Sequence, residues 1–283
     1  MTSKKYKVAS NILHYSLLSL FLFIFLFPTV FMIVSSLKLS EMQILSDMSN
    51  IKAFVPYGQI GLDNYFKVLE RMNFSRFFLN SVIITGLTII FGTIINSMFA
   101  YALAKLNFGG QKVFIPMIVA LIIIPVESVA IPMLLLVNEI RIVDTYIVQI
   151  VPFLAESLFI FLFYQFFRQL PNELQEAAIM DGAGYLTIYR RIILPLSRPV
   201  IATVVIFYAL GRWGDLLWPI LVTRGEEVRP LPLAMQTLFI TQSDTQWGQI
   251  FAFATMMSLP LLILFVAAQK QFIRSVASSG IKG

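Results

Sequence analysis

Four charged residues lie inside stretches of sequence that are otherwise apolar, and they are the first candidates for chemistry. Glu127, Glu156, Arg212 and Asp215 each interrupt a run of aliphatic and aromatic residues. A charged group is costly in an apolar environment, so it either neutralises another charge or faces a polar cavity. Two hypotheses follow. Either Glu127 or Glu156 forms a structural ion pair with Arg212, or these three residues line the path of a polar solute and bind its hydroxyl groups.

Three amides in the apolar stretches extend the candidate path. Asn80, Asn96 and Gln149 have the donors and acceptors that a polar solute needs, although amides in apolar segments also hydrogen-bond neighbouring helices. Trp213 and Trp218 are interpreted as anchors at the edge of the apolar layer rather than as stacking platforms for a ring.

The residue types needed for most catalytic and metal chemistry are missing. The sequence has no cysteine and one histidine, His14. Disulfides, thiolate metal sites and cysteine nucleophiles are therefore excluded, and a histidine-based metal cluster or a Ser-His-Asp triad is not expected. No G-x-x-x-x-G-K-[ST] sequence for binding nucleotide phosphates is present. We expect no metal, no bound cofactor and no catalytic residue.

Composition identifies the class of protein. The 283 residues are 58% apolar and 13% charged, whereas a soluble domain has about 25% charged residues; the mean hydropathy is +0.82. A chain with so few polar side chains cannot cover its own surface, so it is predicted to be an integral membrane protein. The net charge of +6 arises from short tracts between apolar runs. Without a basic stripe, nucleic-acid binding is not expected.

Six apolar stretches are long enough to cross a bilayer as helices, which takes about 20 residues. The stretches are 12–36, 77–104, 113–137, 146–167, 199–222 and 248–268. The first is too long for the apolar part of a signal peptide and has no A-x-A cleavage site after it, so it is expected to be retained. The predicted fold is all-α with six transmembrane helices, some of which contain tolerated prolines.

The distribution of Lys and Arg predicts the orientation. Of 21 basic residues, 12 lie in the N-terminus, the second and fourth connections and the tail. The positive-inside rule then places both termini in the cytoplasm. The predicted organisation is a cytoplasmic N-terminus 1–11, a first span 12–36, an extracytoplasmic loop 37–76, a membrane core 77–268 and a cytoplasmic tail 269–283.

The cytoplasmic stretch 169–195 predicts two short helices joined by a turn. Pro171 suits a first helical position because it has no amide proton to lose, and Glu176 lies near the helix N-terminus, where the dipole favours a carboxylate. Gly182 can end this helix in a left-handed conformation. A second helix from Tyr185 is expected to end near the next proline. These properties fit either an ordered connector or a docking element.

The same stretch resembles the EAA motif of permease subunits in binding-protein-dependent ABC importers. The residues that carry the resemblance are Glu176-Ala-Ala, Asp181-Gly-Ala and Ile193-Leu-Pro195. The sequence is similar over roughly residues 10–283 to the smaller, six-span permease of maltose-type sugar systems. Tyr101-Ala-Leu-Ala-Lys-Leu, Leu231-Pro-Leu and Gly280-Ile-Lys-Gly283 are part of this similarity. Gly184 departs from the motif, since many relatives carry Ser there.

The resemblance implies a type I ABC importer permease fold in the bacterial cytoplasmic membrane. It implies a transport subunit, not an enzyme, that forms half of the translocation path for a sugar, specifically an oligosaccharide. The implied partners are a second permease subunit, a dimer of ATP-binding subunits that uses ATP and Mg, and an extracytoplasmic solute-binding protein.

The resemblance also implies roles for individual residues. In that family the short helix docks in a groove of the ATPase, so Glu176, Ala177, Asp181 and Gly182 would couple the chain to ATP hydrolysis. The tail, with Lys282 and Gly283, would reach toward the ATPase dimer.

Two alternatives remain open from the sequence. An importer of the same type could carry a non-sugar solute such as a polyamine or a phosphonate. An ion-coupled secondary carrier would use Glu127 and Glu156 as a proton relay. That reading leaves the EAA-like segment without a role, and no inverted repeat relates the two halves of the sequence.

Overall fold

The structure, a computed structural model, describes residues 2–240 and 246–280. Helices dominate the described residues, and no β-strand occurs among them. This confirms the predicted all-α class. The described residues fall into two compact units, Met1–Phe74 with Met235–Leu259 and Ser75–Ala234 with Pro260–Gly283.

The first unit is built on the long helix α1 (Thr2–Leu37). Its apolar side chains between residues 13 and 27 are exposed in this chain, as expected of a helix that is hydrophobic all round and faces lipid or another protein. The connection that follows is ordered. It contains α2 (Glu41–Asp47), a 3₁₀ turn (Ile51–Phe54) and α3 (Asp63–Arg71).

A buried ion pair holds this connection together. Lys38 is fully buried, and its Nζ donates to Asp47 Oδ2 and to the carbonyl of Lys52, both at 2.8 Å. The Tyr57 hydroxyl donates to Asp47 Oδ1 at 2.6 Å. Burial by itself raises the pKa of Asp47, but the hydrogen bonds from Lys38 and Tyr57 and the nearby positive charge outweigh it, so the pKa of Asp47 is lowered. The hydrogen bond between Tyr57 and Asp47 raises the pKa of the Tyr57 hydroxyl.

The second unit contains the remaining helices, whose bounds are as follows. They are α4 (Phe74–Lys105), α5 (Gln111–Ile122), α6 (Val126–Glu139), α7 (Tyr146–Ile150), α8 (Ser157–Gln169), α9 (Glu173–Met180), α10 (Tyr185–Ile188), α11 (Leu194–Leu196), α12 (Arg198–Trp213), α13 (Leu217–Val222) and α14 (Leu231–Met235). The last helix, α15 (Trp247–Gly280), has residues in both units. Buried side chains of α4, α8 and α12 form the main core, among them Phe163, Phe167, Val204 and Tyr208.

Among the described residues, three continuous helices could each cross a membrane, and three bent helix pairs bring the number of candidate spans to six if each pair is one span. Leu13–Leu37, Phe74–Lys105 and Trp247–Ala267 are continuous helices that are long and apolar enough to cross a membrane. The other three candidates are helix pairs bent at a short break. They are Gln111–Ile122 with Val126–Glu139 (101°), Tyr146–Phe153 with Ser157–Gln169 (42°), and Tyr185–Leu196 with Arg198–Trp213 (79°).

Proline and glycine explain where these helices break. Pro125 lies between α5 and α6 and has an extended conformation. Proline lacks an N–H and disfavours helical angles in the residue before it, which favours a break at this point. Pro152 lies in a 3₁₀ turn, Val151–Phe153, ahead of the second break. The predicted fifth span 199–222 stops at Trp213, since Gly214 is a poor helix former and α13 starts separately.

Candidate functional site

A cavity of about 650 Å³ lies where the bend between α5 and α6 meets the break before α8 and the end of α12. Its volume is within the range of small-molecule sites, about 300–1,000 Å³. The charged residues that line it are Glu127, Glu156, Arg212 and Asp215, and the aromatic residues Phe153 and Trp218 line it as well. The structure therefore brings all four charged sequence candidates to one cavity.

Arg212 is neutralised by a residue close to it in sequence. Its Nη1 donates to Asp215 Oδ2 at 2.6 Å, and its Nη2 donates to the backbone carbonyl of Gln149 at 3.0 Å. The guanidinium carbon lies 3.6 Å from the centroid of the Phe153 ring, a cation–π contact. Only 9% of Arg212 is exposed, so these partners compensate a charge that is almost withdrawn from solvent. Its buried Nε has no hydrogen-bond partner among the described residues.

The hypothesis of an ion pair between Arg212 and either Glu127 or Glu156 is wrong, because Arg212 pairs with Asp215 instead. Among the described residues, neither glutamate forms an ion pair within 4.0 Å. Helix α12 ends at Trp213, and the turn after it places the Asp215 carboxylate beside the guanidinium three residues earlier. Both glutamates remain on the cavity wall as hydrogen-bond acceptors.

Side chains from α4 and α12 hold Glu156 at the break before α8. Asn96 Oδ1 accepts a hydrogen bond from the Glu156 amide at 2.9 Å, and Asn96 Nδ2 donates to the Leu154 carbonyl at 3.0 Å and to the Tyr208 hydroxyl at 2.7 Å. The Tyr208 hydroxyl donates to the Phe153 carbonyl at 3.1 Å. These contacts satisfy backbone groups that the broken helix leaves free, and they fix the direction from which Glu156 enters the cavity.

Tyr208 and Phe153 were not among the sequence candidates. The available signal was Pro152, since a proline inside a span frees backbone groups that other side chains must satisfy. The interpretation of Trp213 and Trp218 as interfacial anchors was also wrong. Both are buried within this chain, and Trp218 Nε1 donates to the Val148 carbonyl at 2.8 Å.

Asn80 and Gln149 lie elsewhere and fasten a loop. Asn80 Nδ2 donates to the carbonyls of Glu227 and Arg229 at 3.0 and 2.9 Å. Gln149 Nε2 donates to the carbonyl of Val228 at 2.8 Å. Neither residue lines the cavity, and both hydrogen-bond the backbone of the segment 227–229.

The stretch 169–195 forms the predicted helix–turn–helix with two changes. Helix α9 begins at Glu173, two residues after Pro171, and the chain stays helical through Pro195 because a π-helical turn, Tyr189–Ile193, precedes it. The predicted left-handed stop is confirmed, since Gly182 has a φ of +79°. Lys105 Nζ, at the end of α4, donates to the Leu170 carbonyl at 2.6 Å and ties this stretch to the core.

One face of the stretch is exposed in this chain. Glu176, Ala177, Asp181 and Gly182 are all exposed, and so are the apolar side chains Leu174, Ile179, Met180, Tyr185 and Leu186. In the part of the chain that the structure describes, Asp181 forms no ion pair, either with Arg190 and Arg191 of the same stretch or with another basic residue. Lys282 and Gly283 lie outside the described residues.

Comparisons with known proteins agree with this arrangement. Residues 94–278 match the family described as binding-protein-dependent transport system inner membrane component. The chain is 30% identical over 262 residues to the arabinooligosaccharides transport system permease protein AraQ of Halalkalibacterium halodurans, covering 92% of each chain. It is 32% identical to the melibiose/raffinose/stachyose import permease protein MelC of Bacillus subtilis, covering 79% of this chain and 82% of that one.

A solved structure shares the fold. It is a bacterial ABC transporter involved in the import of the acidic polysaccharide alginate, and one of its chains superimposes with a TM-score of 0.80 at 24% identity over 93% of this chain and 96% of that one. From the matched residues, the broken spans and the exposed helix–turn–helix, we conclude that this chain belongs to the family of inner membrane components of binding-protein-dependent transport systems.

Proposed function

We propose that this chain is one of two permease subunits of an ATP-driven ABC importer and forms half of the translocation path for an oligosaccharide. Membership of the family makes it a transport component of the cell membrane, not an enzyme, and implies an ATPase and a solute-binding protein as partners in general. We extend this to a second permease subunit and a dimer of ATP-binding subunits, which supply the ATP and Mg chemistry.

The observation that carries the sugar assignment is the lining of the cavity. Glu127 and Glu156 present carboxylate oxygens that accept hydrogen bonds from sugar hydroxyls, in a cavity whose other lining residues are mostly apolar. The oligosaccharide relatives support the same class of solute. Asn80 and Gln149 are left out of the path because they are occupied by the segment 227–229.

The exposed face of 169–195 is the proposed contact with the ATPase. Glu176, Ala177, Asp181 and Gly182 lie on it beside an apolar patch, and such a patch on a cytoplasmic segment fits a protein partner. We assign the coupling role to these four residues, and we retain Lys282 and Gly283 as a tail contact with the same partner.

The test is uptake by the complete importer reconstituted in proteoliposomes. We expect ATP-dependent, binding-protein-dependent accumulation of at least one of two labelled sugars, arabinotriose and raffinose. Glycerol 3-phosphate and the polyamine spermidine serve as non-sugar solutes. Glu156→Gln and Glu127→Gln should reduce sugar uptake without loss of the chain from the complex, whereas Glu139→Gln on α6, which does not line the cavity, is the matched control. Accumulation of a non-sugar solute alone would contradict the proposal.

A further inference from the structure

The charge balance of the cavity narrows the class of solute. Four charged side chains line it, one basic and three acidic. Arg212 is engaged by Asp215 at 2.6 Å and by the Phe153 ring at 3.6 Å. Both of its terminal nitrogens are therefore engaged by groups of the protein, and the carboxylate of Asp215 compensates its positive charge.

Glu127 and Glu156 are the two acidic side chains that remain on the cavity wall. Within the described part of the chain, neither has a basic partner within 4.0 Å. An anionic solute in the cavity would meet two carboxylates and no free cation, whereas a neutral sugar would find hydrogen-bond acceptors. A like-charge arrangement of this kind rejects a wrong ligand more strongly than it improves the binding of the right one.

We infer that this chain's half of the translocation path selects uncharged sugars and excludes sugars that carry carboxylate, sulfate or phosphate groups. Glu127 and Glu156 are the specificity-determining residues, acting through the negative potential of the cavity. This inference rests on the proposed function, because it assumes that the cavity is the solute path. It adds a property that can be measured without knowing the sugar.

The absence of cysteine from the sequence allows a direct measurement of that potential. A single cysteine at Ser157, which lines the cavity beside Glu156, reports on reagents that enter. The reagents are two methanethiosulfonates of similar size, the trimethylammonium-ethyl cation and the sulfonato-ethyl anion. The ratio of their reaction rates cancels any change in the reactivity of the thiol itself. Ala155→Cys, also on the cavity wall, is a second reporter in case one variant does not assemble.

We expect the cationic reagent to be favoured at Ser157→Cys by about tenfold or more relative to a control cysteine at Ser49, which is exposed on the connection after α2. The assembled importer is held in nanodiscs so that reagents reach both sides, and modification is followed by mass on this chain. Combining the reporter with Glu127→Gln and Glu156→Gln should lower the ratio to the control value. Equal ratios at reporter and control, or a ratio unchanged by the two substitutions, would overturn the inference.

The same variants separate this inference from the proposed function. Whichever of arabinotriose and raffinose is carried should, with the binding protein and ATP present, slow modification of Ser157→Cys by both reagents. Protection without a charge preference would refute the charge selectivity alone. A charge preference without protection would show that the cavity is negative but is not the solute path, which would refute the inference together with the path on which it rests.

Discussion

At the scale of single residues, Arg212 determines the chemistry of the cavity through the partner it engages. Its contact with Asp215 leaves the two glutamates free to meet a solute. Removing one member of a buried pair leaves an uncompensated charge, which costs more free energy than removing both members.

Stability measurements with paired substitutions test this assignment. Arg212→Met and Asp215→Asn should each lower the free energy of unfolding, and the double variant should recover part of the loss, with a coupling energy of about 0.5–3 kcal/mol. Combining Arg212→Met with Glu127→Gln is the control and should be close to additive. The quantity is the free energy of unfolding in detergent, from denaturant titration. Additivity for Arg212 with Asp215, or a larger coupling to Glu127, would contradict the pairing.

The sequence identified the charged residues but not their partners. A charge in an apolar run stands out without any structural knowledge, and all four candidates do line the cavity. Which charge meets Arg212 depended on where α12 ends, and the ends of helices are set by caps and turns rather than by composition. Tyr208 was missed for a related reason, because an aromatic residue in a span resembles any other core residue until the break that it satisfies is seen.

At the scale of elements, α4 is shaped by its contact with α12. A Cβ at Gly92 would overlap the Tyr208 hydroxyl, whereas nothing lies within 4 Å of a Cβ at Gly86 on the same helix. Gly92 therefore permits the close approach that lets Asn96 and Tyr208 meet.

Two alanine substitutions in α4 test this close approach. Gly92→Ala should destabilise the protein by about 1–3 kcal/mol, because the added methyl group displaces Tyr208 from a packed site. Gly86→Ala should be neutral or stabilising, since alanine is the better helix former and the space is open. Thermal unfolding of the two variants in the same detergent gives the comparison. Equal destabilisation by both would show that the contact at Gly92 does not matter.

The connection after α1 depends on a different interaction, the Lys38–Asp47 pair, and this predicts a dependence on pH. Folding lowers the pKa of Asp47 below the ordinary aspartate value of 3.8. The contribution of Asp47 to the stability of this connection is therefore complete above pH 3.8 and is lost as the pH falls through the lowered pKa of the folded state. Asp47→Asn should therefore speed hydrogen exchange of the Leu39 and Gly61 amides, which bond across this connection, at pH 7 but far less at the acidic end.

The control for this pH series is Glu70→Gln, an exposed carboxylate on α3. It should leave exchange of the same two amides unchanged after correction for the intrinsic effect of pH. A difference between Asp47→Asn and the unsubstituted chain that stays constant down to pH 2 would contradict the role given to this carboxylate.

The sequence predicted where the apolar helices lie but not where they break. Long apolar stretches predicted three continuous spans and the approximate positions of three bent helix pairs, because the thickness of the bilayer sets the length of a span. The breaks at 123–125 and 154–156 were not predicted, since proline is tolerated in some spans and breaks others. Pro132 stays inside α6, whereas Pro125 lies directly before it in an extended conformation, so a proline in an apolar stretch does not by itself show where the helix breaks.

At the scale of the whole molecule, the exposed helix–turn–helix is the proposed contact between the chain and the ATPase. Asp181 is the residue at which α9 ends, where the helix dipole is unfavourable for a carboxylate. It is exposed and forms no ion pair among the described residues. A residue in this situation is explained by a partner outside the chain.

Substitution of Asp181 should separate coupling from folding. Asp181→Ala should leave the amount of assembled importer near normal but reduce solute-stimulated ATP hydrolysis and uptake by about tenfold, the effect of losing about 1.4 kcal/mol of contact. Thr187→Ala, an exposed position on α10, is the matched control and should be close to unsubstituted. Full stimulation by the loaded binding protein in Asp181→Ala would show that the coupling role is wrong, and so would loss of the chain from the membrane.

The most direct test of the account is to purify the chain from its native membrane and measure transport by what is recovered. We predict a complex that also contains a second permease subunit and ATP-binding subunits, and ATP-dependent uptake of labelled arabinotriose or raffinose that requires the binding protein. Recovery of this chain alone, still accumulating sugar in proteoliposomes without an ATPase, would contradict the account.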